Sequence, residues 1–130
     1  MVREEKLSLK QAECIKLKDI DTFVGSSIGE RIKRAYAYGG VKREQPFVFE
    51  YDRQLVQGVI DLYFIEDGQL VIVDYKTDRV LRGRAGEDEL RRRYSIQLDY
   101  YAMALSQITG LKVKEKVIYS FALGRSLTVE

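Results

Sequence analysis

Two strand-like apolar segments joined by a tight turn constrain the fold of this chain more than any other feature. The segments cover about residues 55–65 and 69–76, and Asp67 and Gly68 lie between them. An Asp-Gly pair in this setting is the strongest short-range indication of a β-hairpin. Both segments carry apolar residues on both faces, which is typical of central strands that are covered on each side. The pattern therefore predicts a buried hairpin within a layered fold.

Charged residues interrupt both apolar segments. Asp61 lies in the first, Asp74 lies in the second, and Lys76 follows two residues later. If the turn has two residues, counting back along both strands places the aspartates directly opposite each other, with β-carbons about 5 Å apart. Lys76 then shares the face of Asp74, because side chains alternate along a strand. A three-residue turn would send the aspartates to opposite faces unless a bulge restored them.

Two carboxylates in these positions need a physical explanation. Facing like charges repel, and burying an ionised carboxylate without a partner costs several kcal/mol. A Mg²⁺ or Mn²⁺ ion would reverse the penalty, because hard cations prefer carboxylate oxygens. Lys76 beside such an ion could orient or deprotonate a water, or neutralise charge on a phosphate. The alternative is a protonated or solvent-exposed aspartate pair beside a lysine that reaches water.

The rest of the pattern predicts helices before the hairpin and a long helix after it. Ser8 and Gln11 form a capping box, Asp19 or Asp21 could cap a further turn, and Pro46 indicates an edge strand. The expected helices cover residues 9–17, 27–38 and 87–108, and the expected strands cover 41–51, 55–65, 69–76, 113–123 and 127–129. This order predicts an α/β or α+β layer built on one sheet.

Composition limits the location and the partners. The 130 residues, 45% hydrophobic with a single proline, suit one ordered domain. The apolar segments are too short to cross a membrane, and the N-terminal residues do not resemble a signal peptide. We therefore expect a cytoplasmic protein without membrane association. Cys14 is the only cysteine, which excludes an internal disulfide and a cysteine-built zinc or iron–sulfur site.

Arginines concentrate between the hairpin and the long helix, although the net charge of +2 does not by itself identify a nucleic-acid binder. The cluster comprises Arg79, Arg82, Arg84, Arg91, Arg92 and Arg93. Clustered arginines can contact phosphates. The alternative is a solvated loop and helix face that Glu87, Asp88 and Glu89 balance.

Taken together, four motifs resemble the RecB-type nuclease domain of the PD-(D/E)XK superfamily, most strongly the AddA type found in bacterial helicase–nucleases. The motifs are Gly58-Val59-Ile60-Asp61, Asp74-Tyr75-Lys76-Thr77-Asp78, Gln97-x-x-x-Tyr101 and Arg43-Glu44-Gln45-Pro46-Phe47. The resemblance covers about residues 19–124. It implies an α/β restriction-endonuclease-like core with a mixed central β-sheet flanked by helices.

The same resemblance implies roles for the residues of the hairpin. Asp61, Asp74 and the backbone carbonyl of Tyr75 would bind Mg²⁺ or Mn²⁺, and Lys76 would be the catalytic lysine. Glu44 matches a glutamate that recurs in the family, without a definite role.

Further residues would act after the hairpin. Gln97 and Tyr101 would lie beside the active site and help to position it or the DNA strand, although ordinary helix packing also explains their spacing. Arg79, Arg82 and Arg84 would contact the DNA backbone.

One departure from the family bears on activity. Members usually supply a metal-binding histidine from an upstream helix, and this chain has no histidine. We therefore expect residues 1–130 to form a single nuclease-like domain that is a fragment of a larger helicase–nuclease and is weakly active or inactive in isolation.

The implied parent activity is a metal-dependent DNA exonuclease. It would degrade a single strand from an unwound duplex, beside a partner nuclease subunit, in recombinational double-strand break repair. The alternatives are a non-catalytic module that binds DNA or docks a subunit, and a standalone nuclease or resolvase.

Overall fold

The computed structural model describes residues 17–130, so the predicted capping box, the helix that it opens and Cys14 lie outside the described residues. Within that range the chain forms two helices, three strands, a long helix and two more strands. They are α1 (Leu17–Val24), α2 (Ser27–Ala37), β1 (Val41–Tyr51), β2 (Gln54–Glu66), β3 (Gln69–Lys76), α3 (Arg84–Thr109), β4 (Val113–Ser120) and β5 (Arg125–Val129). None of these helices is both long enough and apolar enough to span a bilayer.

The strands form one mixed sheet whose spatial order follows the chain from β1 to β5. Neighbouring strands are antiparallel except β3 and β4, which are parallel. A parallel pair needs a crossover connection, and α3 provides it. β1 lies at the edge, as Pro46 predicted. The mixed sheet with helices confirms the predicted fold class.

Helices cover both faces of the sheet, and each face has its own core. On one face Leu98 and Leu105 of α3 pack against Ile72 of β3. On the other face Ile28 of α2 packs near Phe64 of β2. Full burial of such a side chain contributes roughly 1.5–3 kcal/mol. Because β3 lies between both cores, every charged group that it carries is placed in a largely apolar layer.

Tertiary contacts move some boundaries away from the predicted ones. α3 begins at Arg84 rather than at residue 87, because its first turn packs closely on the preceding loop. A Cβ on Gly86 would lie 1.7 Å from the carbonyl oxygen of Leu81. The strand predicted over 113–123 ends at Ser120, whose Oγ accepts a hydrogen bond from the N–H of Leu123 at 3.0 Å.

Candidate active site

The turn between β2 and β3 sets the register of the site. Asp67 and Gly68 both have positive φ, 55° and 74°, as a type I′ turn requires. Pairing then runs in the predicted register as far as Leu62 opposite Val73. The predicted register is therefore confirmed up to the aspartates, which occupy the next position on each strand. The charge of Asp74 acts on the pKa of Asp61, so the two side chains lie close together.

At the aspartates the two strands separate, and a side chain replaces the backbone ladder. The Oδ2 of Asp61 accepts a hydrogen bond from the backbone N–H of Tyr75 at 2.9 Å. β3 meanwhile continues beside β4, with Asp74 opposite Ile118. The carboxylate of Asp61 therefore satisfies a backbone donor that the ladder leaves free, and it is held at the opening between the strands.

A kink in β1 lies across from this opening. Glu44 has φ of 50°, a left-handed conformation uncommon for residues other than glycine, and it lies opposite Asp61 where the β1–β2 pairing skips one position. Side-chain alternation breaks at the same place, since Ile60 packs in the core beneath α3 and Leu62 in the core beneath α2. Both strands are therefore irregular at this point, and irregularities within a sheet often lie beside active sites.

Asp61 is perturbed by burial and by the neighbouring Asp74. Asp74 is only 2% exposed, and its Oδ2 has no hydrogen-bond partner within residues 17–130, although the Nζ of Lys76 forms an ion pair with it at 3.0 Å. Burial and then the charge of Asp74 raise the pKa of Asp61 to about 8, against the opposing effects of the Tyr75 N–H and of Lys76. Without a cation, the pair tends to keep one proton near neutral pH.

These groups suit a hard divalent cation. Oxygen ligands are what Mg²⁺ and Mn²⁺ prefer, and a buried carboxylate oxygen without a hydrogen bond is such a ligand. In the described part of the chain, no three His, Cys, Asp or Glu side chains converge as a metal site. Two carboxylates and the predicted carbonyl of Tyr75 would therefore leave coordination positions for water and a substrate phosphate, as Mg²⁺ sites commonly do.

Three groups surround the ammonium of Lys76. Its Nζ lies 3.0 Å from Oδ2 of Asp74, 3.1 Å from Oε1 of Gln97 and 4.0 Å from the centre of the Tyr94 ring. The first comes from β3 and the other two from α3. Two oxygens and an aromatic face are partners that suit an ammonium group.

Asp78, which lies outside the carboxylate pair, supports this arrangement by binding Tyr94. Oδ2 of Asp78 accepts hydrogen bonds from the hydroxyl of Tyr94 at 2.6 Å and from Nη1 of Arg93 at 2.8 Å. Burial acts to raise the pKa of Asp78, but these hydrogen bonds outweigh it and lower the pKa below its ordinary value. Burial and then the bond to Asp78 raise the pKa of Tyr94 to about 12.

Sequence reasoning did not predict Tyr94 as a site residue. The available signal was its position three residues before Gln97, which puts both side chains on one face of a helix.

The helix motif predicted from the resemblance is close to the carboxylates. Gln97 contacts Lys76 directly. Tyr101 is 7% exposed and packs edge-on against Phe47, with ring centres 5.4 Å apart. Burial, followed by the charges of Asp74 and Asp61, raises its pKa. Tyr101 thus combines core packing with a position in the electrostatic field of the site.

The predicted arginine contacts separate into two groups. Arg79 and Arg82 line a cleft of about 400 Å³ that also includes Lys18 and Thr77, the residue after Lys76. Arg84 lies outside this cleft at the start of α3, with its side chain 92% exposed.

Two of the remaining arginines of the cluster fit the alternative interpretation better. Arg91 forms an ion pair with Asp88, and Arg93 forms ion pairs with Asp78 and Glu89. Their charge is largely balanced within the protein.

Comparisons with known proteins agree with this geometry. A family model described as the PD-(D/E)XK nuclease superfamily matches residues 15–127. Subunits of an ATP-dependent helicase/nuclease are 39% identical in Thermoanaerobacter sp. (strain X514) and in Acetivibrio thermocellus, each over 98% of this chain and 11% of the relative. The relative of the same name in Lachnoclostridium phytofermentans is 33% identical over 100% of this chain and 12% of its own length.

The chain thus spans only about a ninth of the length of these relatives. Among solved structures, protein VC1899 from Vibrio cholerae aligns with a TM-score of 0.37 and 16% identity, over 62% of this chain and 18% of that one.

Proposed function

The chain belongs to the PD-(D/E)XK nuclease superfamily, and from that membership we propose that it is a metal-dependent nuclease domain that hydrolyses phosphodiester bonds in DNA. The observation that carries this proposal is the convergence of Asp61, Asp74 and Lys76 where β2 and β3 separate. Two adjacent acids, one of which has a pKa raised by burial and by the charge of the other, have an evident use if a cation neutralises them during the reaction.

Asp61, Asp74 and the backbone carbonyl of Tyr75 would hold Mg²⁺ or Mn²⁺. When bound, the ion would supply an activated water and stabilise negative charge on the phosphate. The ammonium of Lys76, beside Asp74, would neutralise charge that develops on a phosphate oxygen. Gln97 orients that ammonium through its Oε1. Because the pKa of Tyr101 is raised, its hydroxyl stays protonated at neutral pH and can donate a hydrogen bond to a phosphate or a water.

The substrate proposal goes beyond the chemistry of the site. The relatives carry names that combine an ATP-dependent helicase with a nuclease. We extend this to the present chain as an exonuclease domain that acts on a single strand from an unwound duplex, beside a partner nuclease subunit, in recombinational repair of double-strand breaks. The cleft of Arg79 and Arg82 supports the DNA part, because it places cations next to Thr77.

The direct test is cleavage of end-labelled single-stranded and duplex oligonucleotides with Mg²⁺ or Mn²⁺. We expect Lys76→Ala and Asp74→Ala to reduce the rate roughly 100-fold or more. Lys114→Ala is the matched control, because that lysine forms ion pairs with Glu66 and Asp67 at the opposite end of β3. Metal-dependent cleavage that both site variants leave unchanged would contradict the proposal.

A non-catalytic module is the second candidate, and the absence of histidine from the chain favours it. Such a module would bind a single-stranded oligonucleotide in fluorescence anisotropy, with Ca²⁺ in the buffer, yet would cleave nothing with Mg²⁺ or Mn²⁺. Binding that persists in Lys76→Ala together with undetectable wild-type cleavage would decide in its favour.

A further inference from the structure

Tyr94 links the lysine of the site to an acid outside it. Its ring faces the Nζ of Lys76 at 4.0 Å, and its hydroxyl donates a hydrogen bond to Asp78 at 2.6 Å. We propose that Tyr94, anchored by Asp78, is a positioning residue that holds the ammonium of Lys76 against Asp74. The kinetic part of this proposal rests on the proposed nuclease function, whereas the geometric part does not.

A lysine needs several contacts to be held in one place. Its ammonium ends a flexible four-carbon stem, so an ion pair with Asp74 alone would leave the charge free to swing about that one partner. Gln97 adds an acceptor oxygen at 3.1 Å, and the Tyr94 ring adds an aromatic face. The ring attracts the cation without offering it a proton acceptor. The three groups together restrict the ammonium to a position beside the carboxylate pair.

The tyrosine itself is held from its far end. The hydroxyl–carboxylate bond to Asp78 is short and charge-assisted, and Nη1 of Arg93 binds the same oxygen of Asp78 at 2.8 Å. Asp78 lies two residues after Lys76 in the segment that leaves β3. Tyr94 therefore contacts the same short segment at two points: its ring faces Lys76, and its hydroxyl binds Asp78.

Core packing alone would not require this arrangement. Tyr94 is partly buried against the core beneath α3, which a leucine could also provide. A leucine would offer neither an aromatic face for Lys76 nor a hydroxyl for Asp78, so substitution separates the packing role from the positioning role.

The kinetic test compares Tyr94→Leu, which removes the ring, with Tyr94→Phe, which keeps the ring and loses the bond to Asp78. We expect Tyr94→Leu to lower kcat about tenfold, with KM for single-stranded DNA changed less than about twofold, and Tyr94→Phe to keep most of the rate. The matched control is Tyr100→Leu, because this tyrosine of the same helix contacts Phe49 and Tyr51 instead. The proposal would be overturned if the leucine and phenylalanine variants lost kcat equally and the loss in each simply followed its fall in melting temperature.

A double substitution identifies the residue through which Tyr94 acts. If Tyr94 works through Lys76, then Tyr94→Leu should cause no further loss of rate in a Lys76→Ala background. The same fold-loss in both backgrounds would overturn the proposal.

A spectroscopic test does not depend on cleavage. In protein labelled with ¹³C-lysine and assigned with Lys76→Arg, the ε-methylene of Lys76 should show an upfield ring-current shift. The shift should disappear in Tyr94→Leu and weaken in both Tyr94→Phe and Asp78→Asn, because these two variants disturb the same hydrogen bond; Asp78→Asn also serves if the leucine variant does not fold. An unshifted wild-type signal, or one that Asp78→Asn and Tyr94→Leu leave unchanged, would overturn the proposal. The expected shifts without any cleavage would count against the nuclease function alone.

Discussion

Asp61 combines two tasks that usually fall to different groups. One oxygen accepts the N–H of Tyr75 where β2 departs from β3, while burial and the charge of nearby Asp74 raise the pKa of Asp61. The hydrogen bond fixes the carboxylate in place, and the proximity of Asp74 makes the fixed position electrostatically unfavourable. Structural order and readiness for a cation therefore come from one side chain.

Replacing this charge should change metal-free stability. In Asp61→Asn the amide oxygen can still accept the Tyr75 N–H, and the cost of holding a buried acid beside Asp74, which must take up a proton at neutral pH, is gone. We expect a higher melting temperature than wild type in EDTA at neutral pH, and no further rise on adding Mg²⁺ or Mn²⁺, which should stabilise the wild type. Asp99→Asn, which removes a surface partner of Lys116, is the control. A wild type that Mn²⁺ does not stabilise, or a variant that it stabilises equally, would refute this expectation.

Among the secondary-structure elements, those with local signals were predictable from sequence. Asp67 and Gly68 fix both the existence and the register of the β2–β3 hairpin, because their turn admits one pairing. The contact between Tyr94 and Lys76 was not predictable, because it depends on the rotation of α3 against the sheet, and the helical spacing of Leu90, Tyr94 and Leu98 is satisfied by packing alone. The early start of α3 likewise follows from a tertiary contact.

The turn end of the hairpin is tied to its neighbours by a charge cluster. The guanidinium of Arg31 in α2 binds both Glu66 of β2 and Glu115 of β4, and Lys114 also binds Glu66 at 2.8 Å. The hydrogen bond to Arg31 is the main cause that lowers the pKa of Glu66 to about 2, with burial opposing it. Three elements are thus joined at the end of the sheet that lies away from the site.

This cluster predicts a loss of stability in acid. Because the pKa of Glu66 is lower in the folded state than the ordinary value of 4.5, its stabilisation is present above that value and is lost as the pH falls towards about 2. Glu66→Gln should therefore lower stability at neutral pH and flatten its dependence over this acidic range, as measured by urea unfolding at several pH values. Glu30→Gln, from an exposed pair with Lys33, should leave the profile unchanged. A Glu66→Gln profile as steep as that of the wild type would exclude the assignment.

For the whole molecule, the small net charge conceals an uneven distribution. Arg91, Arg93 and Arg125 are paired with carboxylates of α3 or of the preceding loop. The cleft of Arg79 and Arg82, which Lys18 and Asp19 also line, gathers three cations and one acid beside the end of β3. A total of +2 could not reveal this from the sequence, because the pairing depends on which side chains the fold brings together.

The cleft predicts how binding to DNA depends on salt. Arg79→Ala with Arg82→Ala should weaken binding of a single-stranded oligonucleotide and lower the slope of log K against log salt by about 1.4, at about 0.7 for each lost phosphate contact. Fluorescence anisotropy with Ca²⁺ over a series of salt concentrations measures both. Arg91→Ala, which removes an already paired charge, should change neither. Arg84→Ala tests the predicted contact that lies outside the cleft. A slope that is the same in the double variant and in Arg91→Ala would rule out this role for the cleft.

The kink at Glu44 also affects whether another copy of the protein can pair a strand with the edge strand β1. An open outer strand normally presents a regular row of amide donors, onto which a foreign strand can add. In β1 that row is broken twice within three residues, by the left-handed turn at Glu44 and by Pro46, which has no N–H. The irregularity at Glu44, opposite Asp61, therefore also discourages aggregation through the exposed edge of β1.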